Sequence, residues 1–355
     1  MKMIVHTNYG KYFLTFLFTL LYTAIFSQDK DSETNKISLT GSIDTYFRVN
    51  LNGDNSFNEA SGLPNAAPGS SFANLPGFAL GMANAIISYE REKVGFVGDL
   101  VFGPRGTDAI FASPIYSATG NIVNQLYAYW KVHESIKLTL GNFNTYMGYE
   151  GISPTANFNY STSYLFSYGP FSHTGLKVDI ALSEKFNLML AVMNPTDQTE
   201  LNPTGKYALG AQLAYDGQNL NILTEDGAYE IDFTGGFNLS DQVYLGLNAA
   251  LYDNDGLGFA GVAIYPQYIT SDTVSLGLRA EYFSEIGDYG AIGTGLEDTE
   301  VFALTLTGST KIGDLTIKPE LRLDSATEKS VNFQNKDLQP QKHLSSFVLA
   351  AIYVF

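Results

Sequence analysis

The sequence predicts an all-β chain: a closed antiparallel transmembrane β-barrel of about 16 strands (14–16), with long outer loops and short periplasmic turns. Three observations lead there. Strict two-residue alternation runs from residue 37 to the end, long and short connections alternate, and the chain ends on an aromatic residue behind an N-terminal apolar leader.

The leader comes first. Lys2 and Lys11 precede a mostly apolar run over 12–26, and Ser27 and Gln28 then open a polar stretch. That order matches a cleaved secretory signal peptide over residues 1–27. The competing reading is a membrane anchor helix, but the run falls short of the roughly 20 residues that a span requires. Residues 28–36 are then a short periplasmic N-terminal segment, and 37–355 the barrel.

The first strand sets the pattern. Ile37, Leu39, Ile43, Phe47, Val49 and Leu51 share one face, and Ser38, Ser42, Asp44, Tyr46, Arg48 and Asn50 share the other. Such a run is long for a globular strand and suits the 9–11 residues of a tilted transmembrane one. Similar runs are expected at 78–90, 93–103, 121–132, 136–147, 172–182, 185–194, 206–216 and 218–224. Seven more follow at 229–239, 241–253, 257–270, 273–285, 298–311, 313–325 and 345–355.

Connections carry independent information. Long ones at 52–77, 104–120, 148–171, 195–205 and 326–344 alternate with short ones, as expected when the two rims face different compartments. The parity continues with less contrast at 225–228 against 240 and at 254–256 against 271–272. A soluble β-sandwich has no reason to keep it. The last strand, SSFVLAAIYVF, places Phe347, Leu349, Ala351, Tyr353 and Phe355 on one face, and Tyr353 and Phe355 form a candidate C-terminal assembly signal. Closure is physically required, because an unpaired backbone group in hydrocarbon costs several kcal/mol.

Composition narrows function. Charged residues are 16 % of the chain, against roughly 25 % in ordinary soluble domains, while aromatics reach 14 %. Without residues 1–27 the chain carries 18 basic and 36 acidic residues, a net charge of −18 that disfavours nucleic acid. The absence of cysteine excludes disulfides, Cys-ligated metals and a lipidated N-terminal cysteine.

The polar strand faces then supply candidate pore-lining residues: Asp44, Arg48, Asp99, Lys131, Lys177, Asp179, Arg279, Glu281, Lys318, Glu320 and Arg322. Mid-strand charges are costly against lipid and belong in a watery interior. Asp44 with Arg48, Arg279 with Glu281, and Lys318 and Arg322 with Glu320 are near in sequence and opposite in sign. They suit either a charge-selective eyelet or mutually satisfied pairs. Segment 148–171 is the candidate constriction loop, since Tyr149, Phe158, Tyr160, Tyr164, Phe166, Tyr168 and Phe171 make it too apolar for a freely solvated loop. Packing on the rim is its alternative.

Other patterns point to no chemistry. Gly256, Gly258 and Gly261 spell a dinucleotide fingerprint but precede no helix. Asp253-Asn254-Asp255-Gly256 lacks the distal Glu of a calcium loop, so a tight turn is expected. His133, His173 and His343 show no metal-ligand spacing, and no nucleophile elbow exists. No catalytic residue, cofactor or metal site is therefore expected, and His173 is expected to make a structural hydrogen bond.

Residues 124–197 resemble the OmpL-like β-barrel porin family (β-barrel porin 2). LGNF at 140–143, MGYE at 147–150, NFNYSTSYLFSYGPFSHTG at 157–175 and Asn194-Pro195 carry the likeness, and residues 261–285 have the look of its distal hairpins. The resemblance implies a Gram-negative outer-membrane location and a porin role. The expected function is passive diffusion of small hydrophilic solutes through a water-filled channel, because sixteen strands enclose a lumen too wide for side chains to fill. The expected partners are outer-membrane lipid and lipopolysaccharide, the barrel assembly machinery and those solutes, with a homotrimer as the candidate assembly. An adhesin or binding platform that uses the barrel as an anchor is the alternative. A barrel enzyme would need a His or Ser constellation that the sequence does not place.

Overall fold

Alternating faces become alternating environments in the structure, a computed structural model that describes residues 36–110 and 120–355. The expected signal peptide, and residues 28–35 of the expected periplasmic segment, lie outside the described residues. Strands β1 (Lys36–Asn50), β2 (Gly77–Glu90), β3 (Val94–Phe102), β4 (Val123–His133), β5 (Ile136–Asn144), β6 (Ser172–Ala181), β7 (Phe186–Met193) and β8 (Ala208–Tyr215) make the first half. The second half is β9 (Gln218–Glu225), β10 (Ala228–Asn238), β11 (Val243–Asn254), β12 (Leu257–Ile269), β13 (Val274–Ile286), β14 (Glu300–Ile312), β15 (Leu315–Gln334) and β16 (Pro340–Val354). Each pairs antiparallel with its sequence neighbour, and β1 pairs with β16, so the sixteen close into a ring without an edge. Among the described residues two short α-helices, α1 (Pro104–Ala109) and α2 (Tyr164–Tyr168), and a 3-10 turn at Gly120–Ile122 interrupt the loops. Among the described residues no helix is long and apolar enough to cross a membrane; strands do the crossing.

Large apolar side chains such as Ile37, Leu39, Phe78, Leu126, Leu140, Leu209 and Leu306 stand exposed on the outer face, where lipid is the natural solvent. Their alternation partners face the interior. At the seam, Gly41 and Phe355 exchange backbone hydrogen bonds at 3.0 Å. A Cβ on Gly41 would sit 2.2 Å from the Asn84 carbonyl oxygen and 2.6 Å from the Phe355 ring, so glycine is what lets the neighbouring strand and the terminal aromatic approach this closely. Gly41→Val is therefore expected to reduce the fraction of chains that reach the heat-modifiable folded form on semi-native electrophoresis. A wild-type folded yield would refute that role.

Two features of the connections differ from expectation. The long loop expected over 326–344 is an extension of the β15–β16 hairpin that leaves only residues 335–339 as its tip. Its pairing slips between Ser325 and Ser330, and Ser330 and Phe333 turn inward, with the Ser330 hydroxyl donating to the Ile292 carbonyl at 2.6 Å. The expected parity of connection lengths also fails between β9 and β12. Residues 226–227 and 255–256 are two-residue turns on the long-loop rim, whereas 239–242 on the opposite rim has four residues. The cause is local: Asp226-Gly227 (φ 49° and 97°) and Asp255-Gly256 (φ 55° and 84°) take the left-handed pairs of type I′ hairpins. The long-loop rim is thus lowest over β9–β12.

Candidate functional site

Segment 145–171 leaves β5 and turns into the barrel. Tyr146 reaches β9, donating its hydroxyl to the Ile222 carbonyl at 2.8 Å, and Gly148 N–H meets Asp232 on β10 at 3.0 Å. Tyr149 stacks on Tyr265 of β12 with centroids 4.3 Å apart. Further along, Lys318 on β15 donates to the Asn157 carbonyl at 2.6 Å, and Asn159 donates to Thr307 on β14 at 2.7 Å. The segment then reaches β1, where the Tyr160 hydroxyl donates to Asp44 at 2.5 Å. β13 stands opposite β5 in a ring of sixteen, so the segment spans the lumen and docks on the far wall.

Docking is by charge on the wall and by backbone on the segment. Glu320 accepts the Tyr160 N–H at 2.8 Å and the Ser161 N–H at 3.1 Å, along with the Ser161 hydroxyl. Glu281 accepts the Tyr164 and Leu165 N–H groups at 3.0 and 2.8 Å. These donors belong to the first turn of α2, whose N-cap Ser163 accepts the Phe166 N–H at 3.0 Å. Arg279, 0 % exposed, pairs with Glu150 of the segment at 2.7 Å and donates to the carbonyls of Ser161 at 2.7 Å and Thr162 at 3.2 Å. Arg322 binds Thr162 O at 2.8 Å and chelates Asp324 through contacts of 2.8–3.1 Å. Each charge is desolvated yet hydrogen-bonded, the condition under which buried charges persist, with only the Arg279 Nε left over.

The pairs expected from sequence do not form. Asp44 accepts from Tyr160 and from Met82 N–H instead of Arg48, which donates to the Asn74 carbonyl. Arg279 pairs with Glu150 instead of Glu281, and neither Lys318 nor Arg322 pairs with Glu320. The reason is spacing. Residues two apart in a strand stand roughly 6.5 Å apart and project in parallel, so a segment lying over them competes well. Lys177 with Asp179, at 3.7 Å, and Arg322 with Asp324, at 2.8 Å beneath the segment, are two-apart pairs that do form.

The remaining candidates also lie on inner faces. Asp99 accepts from Asn124 at 2.7 Å and Asn84 at 3.3 Å. Lys131 pairs with Glu90 at 3.0 Å, and Asp179 also pairs with Lys137 at 3.2 Å. In the segment, Phe158 lies over Gly277, where a Cβ would meet its ring at 2.3 Å. Tyr164 packs on Phe283 with centroids 5.5 Å apart, Phe166 on Phe171 at 4.9 Å, and the Tyr168 hydroxyl donates to the Gly69 and Ala291 carbonyls at 3.0 Å. The His173 ring is 3.0 Å from the Thr145 hydroxyl, an internal hydrogen bond at the start of β6. Tyr353 is exposed on the outer face, and Phe355 closes the seam.

Four further residues were not singled out. Asp232 and Asp324 sit on the same period-two faces that marked Arg279, so alternation alone could have found them. Glu150 and Arg105 carried no such signal, because both act from loops. Arg105 donates to the Ile152 carbonyl at 2.8 Å and the Tyr160 carbonyl at 3.2 Å, and lies over the Phe72 ring. At the segment's other end Asp197 accepts the Phe171 and Ser172 N–H groups at 2.8 Å. Burial raises its carboxyl to about 6 in spite of those donors.

What space remains is unequally shared. From β10 round to β1 the inner face is buried under segment 145–171, including Asp232, Arg279, Glu320 and Arg322. Partly exposed inner side chains instead collect on β4–β8, where a cavity of about 360 Å³ is lined by Lys131, Lys137, Asp179, Asn187, Met189 and Gln212. At the long-loop end a cavity of about 740 Å³ lies among Tyr46, Phe72, Arg105 and Tyr160. Phe143, Met147 and Met193 pack with Tyr146 into an apolar cluster on the inner faces of β5–β9. Among the described residues no group of His, Asp and Glu could hold a metal ion.

A family model described as “Putative beta-barrel porin-2, OmpL-like” matches residues 36–355. The fold is similar to that of an anion-selective porin from Comamonas acidovorans, with 13 % identity and TM-score 0.59, over 91 % of this chain and 100 % of that one. OmpF of Salmonella typhi, solved with daunomycin, gives 13 % identity and TM-score 0.58 over 91 % and 100 %. Outer-membrane-expressed OmpT of Vibrio cholerae gives 11 % identity and TM-score 0.51 over 92 % and 99 %. At such identities the likeness is one of fold. No curated protein sequence matches the chain significantly.

Proposed function

Because the chain belongs to the OmpL-like β-barrel porin-2 family, we propose that it forms an outer-membrane channel for passive diffusion of small hydrophilic solutes. Its family and structural neighbours are outer-membrane β-barrels. The observation that carries the proposal is the one-sided lumen: segment 145–171 is clamped to β10–β1, leaving the partly exposed polar faces of β4–β8 as the path. In this proposal the segment is the constriction, and Lys131, Lys177 and Asp179 contact permeating ions. Asp44, Arg279, Glu281, Lys318, Glu320 and Arg322 hold the constriction in place, Arg48 pins the β1–β2 loop through the Asn74 carbonyl, and Asp99 orders the β2–β4 wall. Cleavage near Ser27/Gln28, docking of the Tyr353–Phe355 end on the barrel assembly machinery, lipopolysaccharide contact and a homotrimer complete it.

Single-channel recording of residues 28–355 in a planar bilayer tests the proposal. Small, steady, ohmic steps are expected. Inserted, folded and silent protein would defeat it. One observation favours the second reading, a surface protein that uses its barrel as an anchor: the apolar cluster of Phe143, Met147 and Met193 closes over the β5–β9 side. Silence in the bilayer together with binding by the outer loops would be its signature.

A further inference from the structure

Between the base of segment 145–171 and the β9–β11 wall lies a separate cavity of about 350 Å³, within the size range of small-molecule sites. It opens below the low part of the rim, under the turns at Asp226-Gly227 and Asp255-Gly256. Four carboxylate residues line it, Asp197, Glu225, Asp226 and Glu230, together with Tyr168, Tyr252 and Tyr289, while Tyr229 at its edge alternates to the outer face. No Lys, Arg or His is among its lining residues.

Three of the carboxylates are partnered. Asp197 accepts the two backbone N–H groups described above, Glu225 accepts the N–H and hydroxyl of Thr196 at 2.7 Å, and Asp226 pairs with Lys206. Glu230 differs. It is 5 % exposed and faces the cavity, yet among the described residues its carboxylate accepts no hydrogen bond and meets no cation. The contrast lies two residues away, where Asp232 on the same face takes donors from Asn221 at 2.6 Å, Asn248 at 2.5 Å and Gly148 N–H at 3.0 Å. A desolvated carboxylate without a partner is costly, and a charge supplied from solution would relieve it.

The surroundings define that charge. The carboxylates do not converge as a metal ion would need. The tyrosine faces instead suit a large, weakly hydrated cation, which gains from cation–π contact as well as from the carboxylate. We propose that this cavity binds a small organic cation, an ammonium or guanidinium on an apolar body, with Glu230 as its counter-ion. Glu230, Tyr252 and Leu223 lie on the inner face, so the occupant arrives through the channel mouth and is a dissolved solute. The proposal deepens the channel reading by naming a solute class, and rests on it only for the route by which the solute arrives.

Calorimetric titration of detergent-folded residues 28–355 at low salt and neutral pH, with benzylamine and its neutral isostere benzyl alcohol, tests it. Benzylammonium is expected to bind about tenfold or more tightly than the alcohol. Glu230→Gln should abolish that preference, and Asp241→Asn on the opposite rim should keep it. Equal affinities for the two probes, or an unaltered preference in Glu230→Gln, would overturn the proposal. Should Glu230→Gln fail to fold, Tyr252→Leu is read the same way. A barrel silent in bilayers that keeps the preference defeats the channel alone; a conducting barrel without it defeats the cation site alone.

Discussion

Arg279→Ala is expected to release segment 145–171 from the far wall and to turn a steady channel into a flickering one. The substitution strips Glu150 of its only ionic partner among the described residues, frees the Ser161 carbonyl and leaves the Thr162 carbonyl to Arg322 alone. Breaking a buried pair by removing one member costs about 3–5 kcal/mol, because the other charge stays desolvated. Here the cost has an outlet. The segment can lift away so that Glu150 and Glu281 regain water, at the expense of its packing against β12–β15. The loss is therefore expected chiefly as local opening, read as fluctuating conductance and faster amide exchange in 145–171, with a smaller drop in the urea midpoint of the barrel. Arg279→Lys should fall between, since an ammonium cannot reproduce the fork that serves Glu150 and two carbonyls together. Unchanged conductance noise and exchange in Arg279→Ala would show that the segment is held by packing alone.

Removing residues 151–163 altogether is expected to have the larger effect on transport and the smaller on stability. The wall charges Lys318, Glu320 and Arg322 look demanding, yet they are buried against residues 157–162, which the deletion removes. Without it they face the lumen, where water replaces every lost hydrogen bond at little net cost. The strands keep their pairing, so the barrel should still show heat-modifiable mobility. Its single-channel conductance should rise several-fold as the β10–β1 half of the lumen becomes available. A deletion that folds and conducts no better than the intact chain would mean that the segment does not limit flow.

The ring of strands was legible because lipid and interior impose opposite demands on successive residues. Ile37 through Leu51 and Phe347 through Phe355 carry that alternation in plain form. It faded where the demand fades. In the β15–β16 extension, Thr327, Glu328, Lys329 and Asn332 are polar on both faces, so no period separates strand from loop. The site was half legible. Alternation put Arg279, Glu281, Glu320 and Arg322 on the inner face, and aromatic content set 148–171 apart. The partners stayed hidden because most are backbone groups, the N–H of Tyr160, Tyr164 and Leu165 and the carbonyls of Asn157, Ser161 and Thr162, which leave no mark in side-chain identity. The two low turns over β9–β12 were spelled out in Asp226-Gly227 and Asp255-Gly256. Their consequence for the rim needed the neighbouring loops.

The grip of Tyr160 reaches beyond conduction. Its N–H is held by Glu320 on β15 and its hydroxyl by Asp44 on β1, the strands that flank β16. One residue from the middle of the chain thus bridges the junction where the two ends meet. Pairing those ends is the most non-local contact in the molecule and carries the greatest loop-closure entropy. A segment already seated on β15 that also captures β1 shortens the search that the termini must complete. On the proposed reading, the residues that narrow the lumen would also serve as an internal template for its final ring-closing step.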